Sequence, residues 1–400
     1  MAGQDVVRVA FLVSHPIQYQ APLLREIARQ TRIDLTVFFL SDLSVRSYRD
    51  PGFGREICWD VPLLGGYKSS FLPAIGRRDQ VSLSRPFTVG LGRALTDAAC
   101  DVLWVSGYNH HAILRAIFTA HRRGIRVLLW GESNLKSHPR SAGKVWLKNK
   151  LLPKLFKRID AFLAIGTLNR DYYLHYGVPP QRIFMTPYAV DNKFFRERCE
   201  RYRDEREKLR QSLGLCPNSP VILYASKFER RKRASDLLEA FFRLSPDRRE
   251  QPRAHLLFAG DGDEREELEK RARHIGWSNI RFLGFQNQTE LPRYYDLCDI
   301  FVLPSEYEPW GLVVNEAMNA GKAIVVSDQV GSGPDLVKNG ENGFIFSVGD
   351  VAGLAERLRL LITHPDLMYR MGEESRRRIE KWGFTEDISG LNAALTYVLR

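Results

Sequence analysis

Four hundred residues, 44% hydrophobic and 26% charged, are enough for two or three domains with ordinary soluble-protein cores. No stretch has the length of a membrane-spanning helix, and the apolar start at 6–13 reads as a strand and not as a signal peptide. Five scattered cysteines (58, 100, 199, 216, 298) argue for a reducing, cytoplasmic compartment and against zinc, while the formal charge of +12 would attract nucleotide sugars, anionic lipid surfaces or nucleic acid.

Val7–Val13 (VRVAFLV) is a continuous apolar run, the pattern of a buried parallel strand. A loop with His15, Gln18 and Tyr19 follows, then a helix over 21–29. Ligands bind beyond the carboxyl ends of such strands, so these three are candidate ligand contacts; the plain alternative is a proline-shaped turn with a satisfied histidine. A second strand spans 33–40, and 41–73 reads as an irregular, aromatic-containing binding loop. The strand at 101–105 ends in Ser106-Gly107-Tyr108-Asn109-His110-His111, ahead of a helix to Arg123. Adjacent histidines on a helix do not face the same way, which argues against a metal; Asn109 and His110 remain candidate ligand contacts.

The next strand, 126–130, ends at Glu132. This acid could be a base, a partner for a basic ligand, or a helix cap. Residues 142–160 carry Leu147, Leu151, Leu155 and Ile159 at four-residue spacing among six basic side chains, with Pro153 placed to kink them. Two readings stand: a basic amphipathic helix lying on an anionic membrane, or a sheet-covering helix with a solvated basic face. A strand at 161–165, a helix at 168–176 and a strand at 182–187 lead to Pro187-Tyr188-Ala189-Val190-Asp191. The charged helix at 196–211 shows almost no apolar face and is expected to connect two domains rather than join a core.

The second half repeats the alternation. A strand at 221–225 runs into Ser226-Lys227-Phe228-Glu229-Arg230-Arg231-Lys232-Arg233 and a helix from about Ala234. A strand at 254–259 closes in Gly260-Asp261-Gly262-Asp263, whose acid pair resembles a metal-binding DxD but lies after a strand and before a charged helix. The strand at 280–283 is followed by Phe285, an apolar surface suited to a base. The strand at 300–303 leads into PSEYEPWGLVVNEAMNAG, 304–321, where Glu308 and Glu316 stand eight apart around a helix opening at about Gly311. The N–H groups of Gly311, Leu312 and Val313 at that helix start suit a phosphate. Strand–helix alternation in both halves means α/β architecture with parallel sheets and right-handed crossovers.

The Glu308–Glu316 spacing, Lys227 and Lys232 five apart after a strand, the Gly260-Asp261-Gly262 turn and the 187–191 turn resemble the retaining glycosyltransferases of family 4. That resemblance implies a GT-B fold: two Rossmann-like domains facing a cleft, with a C-terminal helix crossing back to the first. It divides the chain into an acceptor domain at 1–195, a linker at 196–219, a nucleotide-sugar domain at 220–383 and a returning helix at 384–400. It casts Lys227 and Lys232 as neutralising the donor diphosphate without metal, Glu308 as holding the sugar, Glu316 as holding the ribose and Phe285 as lying beside the base. His15, Gln18, Tyr19, Asn109 and His110 fall on the acceptor side, and Lys227, Lys232, Glu308 and Glu132 are the candidate catalytic set. Three departures stand out: Lys227 where Arg is usual, Tyr188 and Ala189 where Asn and Gly are usual, and Glu132 where the family commonly has His.

The implied activity is a hexosyltransferase using a nucleotide diphosphate sugar, UDP-sugar favoured, with no cofactor. Its acceptor is an envelope glycan, a lipid or another hydroxyl, and the protein is expected at the inner face of the membrane as a peripheral enzyme or free beside it. Action on nucleic acid or a small metabolite, or a non-catalytic binding subunit, are the alternatives.

Overall fold

The computed structural model describes residues 6–136, 142–245 and 250–400. They form two compact units, 1–48 with 61–190 and 383–400, and 49–60 with 191–382.

The first unit is built on seven parallel strands: β1 Val7–Val13, β2 Ile33–Phe39, β3 Lys68–Phe71, β4 Val102–Ser106, β5 Arg126–Gly131, β6 Ala161–Ala164 and β7 Ile183–Met185. Their order is β7-β6-β5-β4-β1-β2-β3. The central strands are apolar on both faces because helices cover both, so β1 buries every residue but Arg8. Helices α1 Gln20–Ala28, α2 Leu91–Asp97, α3 His111–Arg122, α4 Ala142–Phe156 and α5 Thr167–His175 follow in the chain. Strand β3 corrects the expectation that 41–73 is irregular throughout, and short ribbon strands also form at Tyr48–Asp50 and Arg55–Ile57. Its sequence, KSSF, lies at a sheet edge with three of four residues exposed, so it carries no apolar run to announce it.

Helix α4 divides the two readings of 142–160 between its ends. Leu152, Phe156 and the following Ile159 are buried in the core, whereas Val145, Trp146, Leu147 and Leu151 are exposed.

The second unit holds six parallel strands: β8 Val221–Ala225, β9 His255–Ala259, β10 Ile280–Gly284, β11 Ile300–Leu303, β12 Ala323–Ser327 and β13 Gly343–Phe346, in the order β10-β9-β8-β11-β12-β13. Its helices are α6 Asn192–Arg203, α7 Arg206–Ser212, α8 Ala234–Phe242, α9 Arg265–Ile275, α10 Leu291–Leu297, α11 Leu312–Asn319, α12 Gly333–Leu336, α13 Val351–Thr363 and α14 Pro365–Ile379. In both sheets the strand order reverses beside the first strand, between β1 and β4 and between β8 and β11. A doubly wound sheet opens its ligand crevice at the carboxyl ends of those strands.

The charged segment at 196–211 is not a free connection. Helix α6 buries Phe195 and Cys199, four residues apart on one face, with the Phe195 ring 6.4 Å from that of Tyr295 in α10. Polar bonds from the same helix, Arg196 to Asn319 at 3.1 Å and Arg198 and Tyr202 to the Thr289 carbonyl at 3.3 Å each, add to these two apolar side chains in docking it. The last helix, α15 Phe384–Val398, packs on β6 and β7 of the first unit. A Cβ on Gly390 would meet the Met185 carbonyl oxygen at 1.9 Å, so that close approach requires glycine. Among the described residues, no helix is long and apolar enough to cross a membrane.

Candidate functional site

In the second unit, the chain leaving β8 is held from several sides. The Tyr224 hydroxyl donates to the Lys227 carbonyl at 2.9 Å, and the Phe228 amide donates to the Asp261 carbonyl at 2.8 Å. The Gly260-Asp261-Gly262 turn lies against this backbone: a Cβ on Gly260 would stand 1.9 Å from the Ser226 oxygen, and one on Gly262 2.8 Å from the Phe228 oxygen. The glycines are therefore required for packing. The Asp261 carboxylate accepts from Arg265 at 3.0 Å and Arg55 at 3.5 Å, and Asp263 is exposed.

A single 3₁₀ turn, Arg230–Lys232, then swings Lys232 inward, where it is mostly buried. Its ammonium donates to the Glu308 carboxylate. The two side chains, expected from opposite ends of the motif set, form one buried ion pair. Glu308 is fixed by its backbone, whose carbonyl accepts from Gly331 N at 2.9 Å. Gly311, at φ +93°, caps α11 in a conformation that glycine reaches without strain, and a Cβ there would crowd Glu308 Cγ at 3.2 Å. The start of α11 has no side-chain cap; the Val314 amide donates back to the Gly311 carbonyl at 2.9 Å, and the first-turn N–H groups of Leu312 and Val313 suit an anion.

Lys227 faces a partner that sequence reading did not find. Its Nζ lies 2.8 Å from Asp50 Oδ1 and 4.8 Å from the centre of the Phe53 ring. Asp50 also accepts from the amides of Gly52 and Phe53, at 2.8 and 3.0 Å. Phe53 and Trp59 contact the Phe285 ring edge-on at 4.8 and 6.2 Å, and the Arg55 guanidinium lies 5.8 Å from its centre. Residues 49–60 thus lie against both Lys227 and Phe285. The one earlier signal was the aromatic content of 41–73.

Glu316 is engaged separately. The Tyr295 hydroxyl of α10 donates to its Oε2 at 2.7 Å, and burial pushes the Glu316 carboxyl up to about 7 against the opposing effect of that bond. Tyr295 was also missed, because it lies 21 residues away on another helix.

In the first unit, the ends of β1 and β5 and the 187–191 turn meet. Tyr188 is buried, and its hydroxyl donates to Glu132 Oε1 at 2.6 Å. Tyr19, capping α1, packs edge-on to Tyr188 with ring centres 5.5 Å apart. Burial drives both tyrosine hydroxyls far up, so they stay protonated and can donate. His15 Nδ1 lies 2.9 Å from Ser14 Oγ, and burial lowers this imidazole to about 4, leaving it neutral at neutral pH. Gln18 is half-buried beside Tyr19 in the chain, and Asn109 is exposed. Tyr188, read in the sequence only as a departure from Asn, is what holds Glu132.

His110 does not fit the acceptor expectation. It is buried, its Nδ1 accepts from the Ala112 amide at 3.1 Å as the cap of α3, and its Nε2 donates to the Arg85 carbonyl at 3.0 Å. Both ring nitrogens are occupied structurally, which removes it from the acceptor set. Among the described residues, no group of three or more His, Cys, Asp or Glu side chains is arranged to hold a metal ion.

Comparison with known proteins supports the architecture and finds a family similarity over part of the chain. The chain is 32% identical to the sulfoquinovosyl transferase of Arabidopsis thaliana over 197 residues, 48% of this chain and 36% of that protein. It is 31% identical to a lipopolysaccharide core biosynthesis glycosyltransferase of Rhizobium meliloti over 172 residues, 42% of this chain and 47% of that one. The chain thus spans between about a third and a half of these relatives. Anabaena HepE, solved in complex with UDP, superposes with a TM-score of 0.72 at 18% identity, covering 98% of this chain and all of that one, which identifies the GT-B fold. The match to "Glycosyl transferases group 1" covers residues 205–378, and over that region of its second unit the chain is similar to this family.

Proposed function

We propose that the protein is a retaining glycosyltransferase that moves a hexosyl unit from a nucleotide diphosphate sugar, UDP-sugar favoured, to a hydroxyl of an envelope glycan or glycolipid. The observation that carries the reading is the Lys232–Glu308 pair at the carboxyl ends of β8 and β11, where the sheet order reverses. Lys232 and Lys227 stabilise the charge that grows on the departing diphosphate, with the start of α11 adding N–H groups. Glu308 holds sugar hydroxyls, ionised Glu316 accepts from the ribose, and Phe285 lies along the base. The bond from the anomeric carbon to the diphosphate oxygen breaks as the bond to the acceptor oxygen forms on the same face. The acceptor proton passes to the leaving diphosphate. Glu132, steadied by Tyr188, orients the acceptor hydroxyl together with His15, Gln18 and Tyr19; exposed Asn109 is a further acceptor contact.

Relatives support the donor and acceptor classes. One solved neighbour is described in complex with UDP-glucose, and the curated relatives include proteins named for sulfoquinovosyl transfer and lipopolysaccharide core synthesis. The test is calorimetric titration with UDP, GDP, ADP and TDP, followed by turnover of the matching sugar nucleotide. The expected result is one preferred nucleotide whose binding weakens in Glu316→Ala. A folded protein that binds none of the four, or an affinity unchanged in Glu316→Ala, overturns the donor assignment. Tight binding without any turnover across glycan, lipid and small-molecule acceptors would favour the non-catalytic subunit.

A further inference from the structure

An amphipathic helix normally turns its apolar side to the core, and the first half of α4 does not. Trp146 is 58% exposed, Leu147 49% and Leu151 53%. Around them stand Lys144, Lys150 and Lys154, all exposed, and α4 contains no acidic residue. The Lys150 ammonium lies 4.0 Å from the Trp146 ring centre, so an aromatic body and a cation share one spot.

A second element of the same unit has the same character. A hairpin pairs Ala74–Ile75 with Phe87–Thr88 and exposes Ile75 and Leu83, each at 67%, among Arg77, Arg78 and Arg85. Its one acid, Asp79, is paired with Arg77. The hairpin is pinned to the start of α3, where His111 N donates to the Leu83 carbonyl at 2.9 Å and His110 bonds to that of Arg85. Tyr108 and Asn109, just before those histidines, line a groove of about 380 Å³ with Leu147 and Leu151 of α4. Hairpin, groove and α4 therefore form one connected face that is both apolar and basic.

We propose that this face docks on an anionic lipid bilayer, with Trp146, Leu147, Leu151 and Leu83 entering the headgroup boundary and the lysines meeting lipid phosphates. The chemistry favours lipid over nucleic acid: a phosphate backbone would be met by the cations, but nothing in it would cover four exposed apolar side chains. Cations near an anionic leaflet and apolar side chains in the interface add their effects, and neither alone anchors well. The proposal goes beyond the glycosyl-transfer reading and does not rest on it.

The test is co-sedimentation of the full chain with phosphatidylcholine vesicles, with and without phosphatidylglycerol, beside a duplex-DNA retention assay. The expected result is retention on the anionic vesicles only, weakened by salt. The triple charge reversal Lys144→Glu, Lys150→Glu, Lys154→Glu lowers the partition coefficient on the order of 100-fold. Leu147→Ser with Leu151→Ser lowers it about 10-fold. Because these side chains are exposed, both variants keep the melting temperature and the nucleotide affinity of the parent. Equal retention on neutral and anionic vesicles, no retention on either, or lysine-dependent capture by DNA with no effect of the leucine changes would each overturn the proposal. Loss of nucleotide binding in the parent protein would sink the glycosyl-transfer reading instead and leave this result standing.

Discussion

The two strand-end sites solve different electrostatic problems. In the second unit the polar groups are ions in compensated pairs, Lys232 with Glu308 and Lys227 with Asp50. In the first unit they are protonated tyrosine hydroxyls, with Tyr188 donating to the Glu132 carboxylate, and a neutral imidazole, that of His15, bonded to Ser14. Paired ions suit a ligand that brings its own strong charge and must displace or share a partner. Protonated hydroxyls beside a single acid suit a neutral hydroxyl whose orientation matters more than its charge. The difference teaches that one fold, used twice, can be tuned by the residues that follow its strands, β1 and β5 in the first sheet and β8 and β11 in the second.

The comparison breaks most readily at Lys232. Lys232→Ala should slow transfer by about 100- to 1000-fold, the usual effect of losing a preorganised charge at a developing anion. It should also destabilise the fold by about 3–5 kcal/mol, because Glu308 is left buried and unpaired. Adding Glu308→Gln should return most of the stability and none of the rate. Rates from a donor-turnover assay and melting curves on the three proteins decide it; a Lys232→Ala enzyme at full speed removes the charged-pair account.

Glu316 tests whether the second unit works by ionic acceptance. Glu316→Gln should weaken UDP binding by about 10- to 100-fold, the scale of a hydrogen bond to a charged group. The parent should bind UDP more tightly as pH rises through about 7, because only the ionised carboxylate is a full acceptor. The glutamine variant should lose that slope, and Tyr295→Phe should move its midpoint upward, since the tyrosine donates to the carboxylate. Linkage runs the other way for the fold: a carboxyl raised from 4.5 to about 7 contributes stability below 4.5 that is lost as pH rises to about 7. A pH-independent UDP affinity in the parent would refute the ribose assignment.

Smaller effects sharpen the other side. Tyr188→Phe should lower transfer by about 2- to 10-fold with UDP affinity unchanged, because it removes one hydrogen bond from Glu132. Equal losses in binding and turnover would show that Tyr188 acts on the donor. The smallest expected change is in Asp50→Asn, which relieves Lys227 of its competing carboxylate. UDP should then bind about 2- to 5-fold more tightly, in keeping with a partly exposed ion pair. Weaker binding in that variant would mean that Asp50 assists the donor instead of competing with it.

Much of the fold was legible because it is written in short stretches. The apolar runs at 7–13, 221–225, 300–303 and 323–327 match strands residue for residue. The helix start at Gly311 was visible for the same reason: a Pro-Trp-Gly turn followed by helix formers is local chemistry. Edge strand β3 was not visible, because a strand exposed on most positions has no burial pattern to display. Helix α6 was misread because Phe195 and Cys199 look sparse until α10 is placed beneath them.

The sequence alone determined which residues follow which strand, and so that Lys227, Lys232, Glu308 and Glu316 would gather near the ends of a parallel sheet. Strand–loop–helix units are encoded by neighbours in the chain, and their residues travel together. Only the tertiary structure decided the partners: Glu308 for Lys232, Asp50 for Lys227, Tyr295 for Glu316, Tyr188 for Glu132, and the structural engagement of His110. Those pairs join residues from 21 to 177 positions apart. A hydrogen bond depends on ångström-scale placement, which no spacing along a chain of that length can carry.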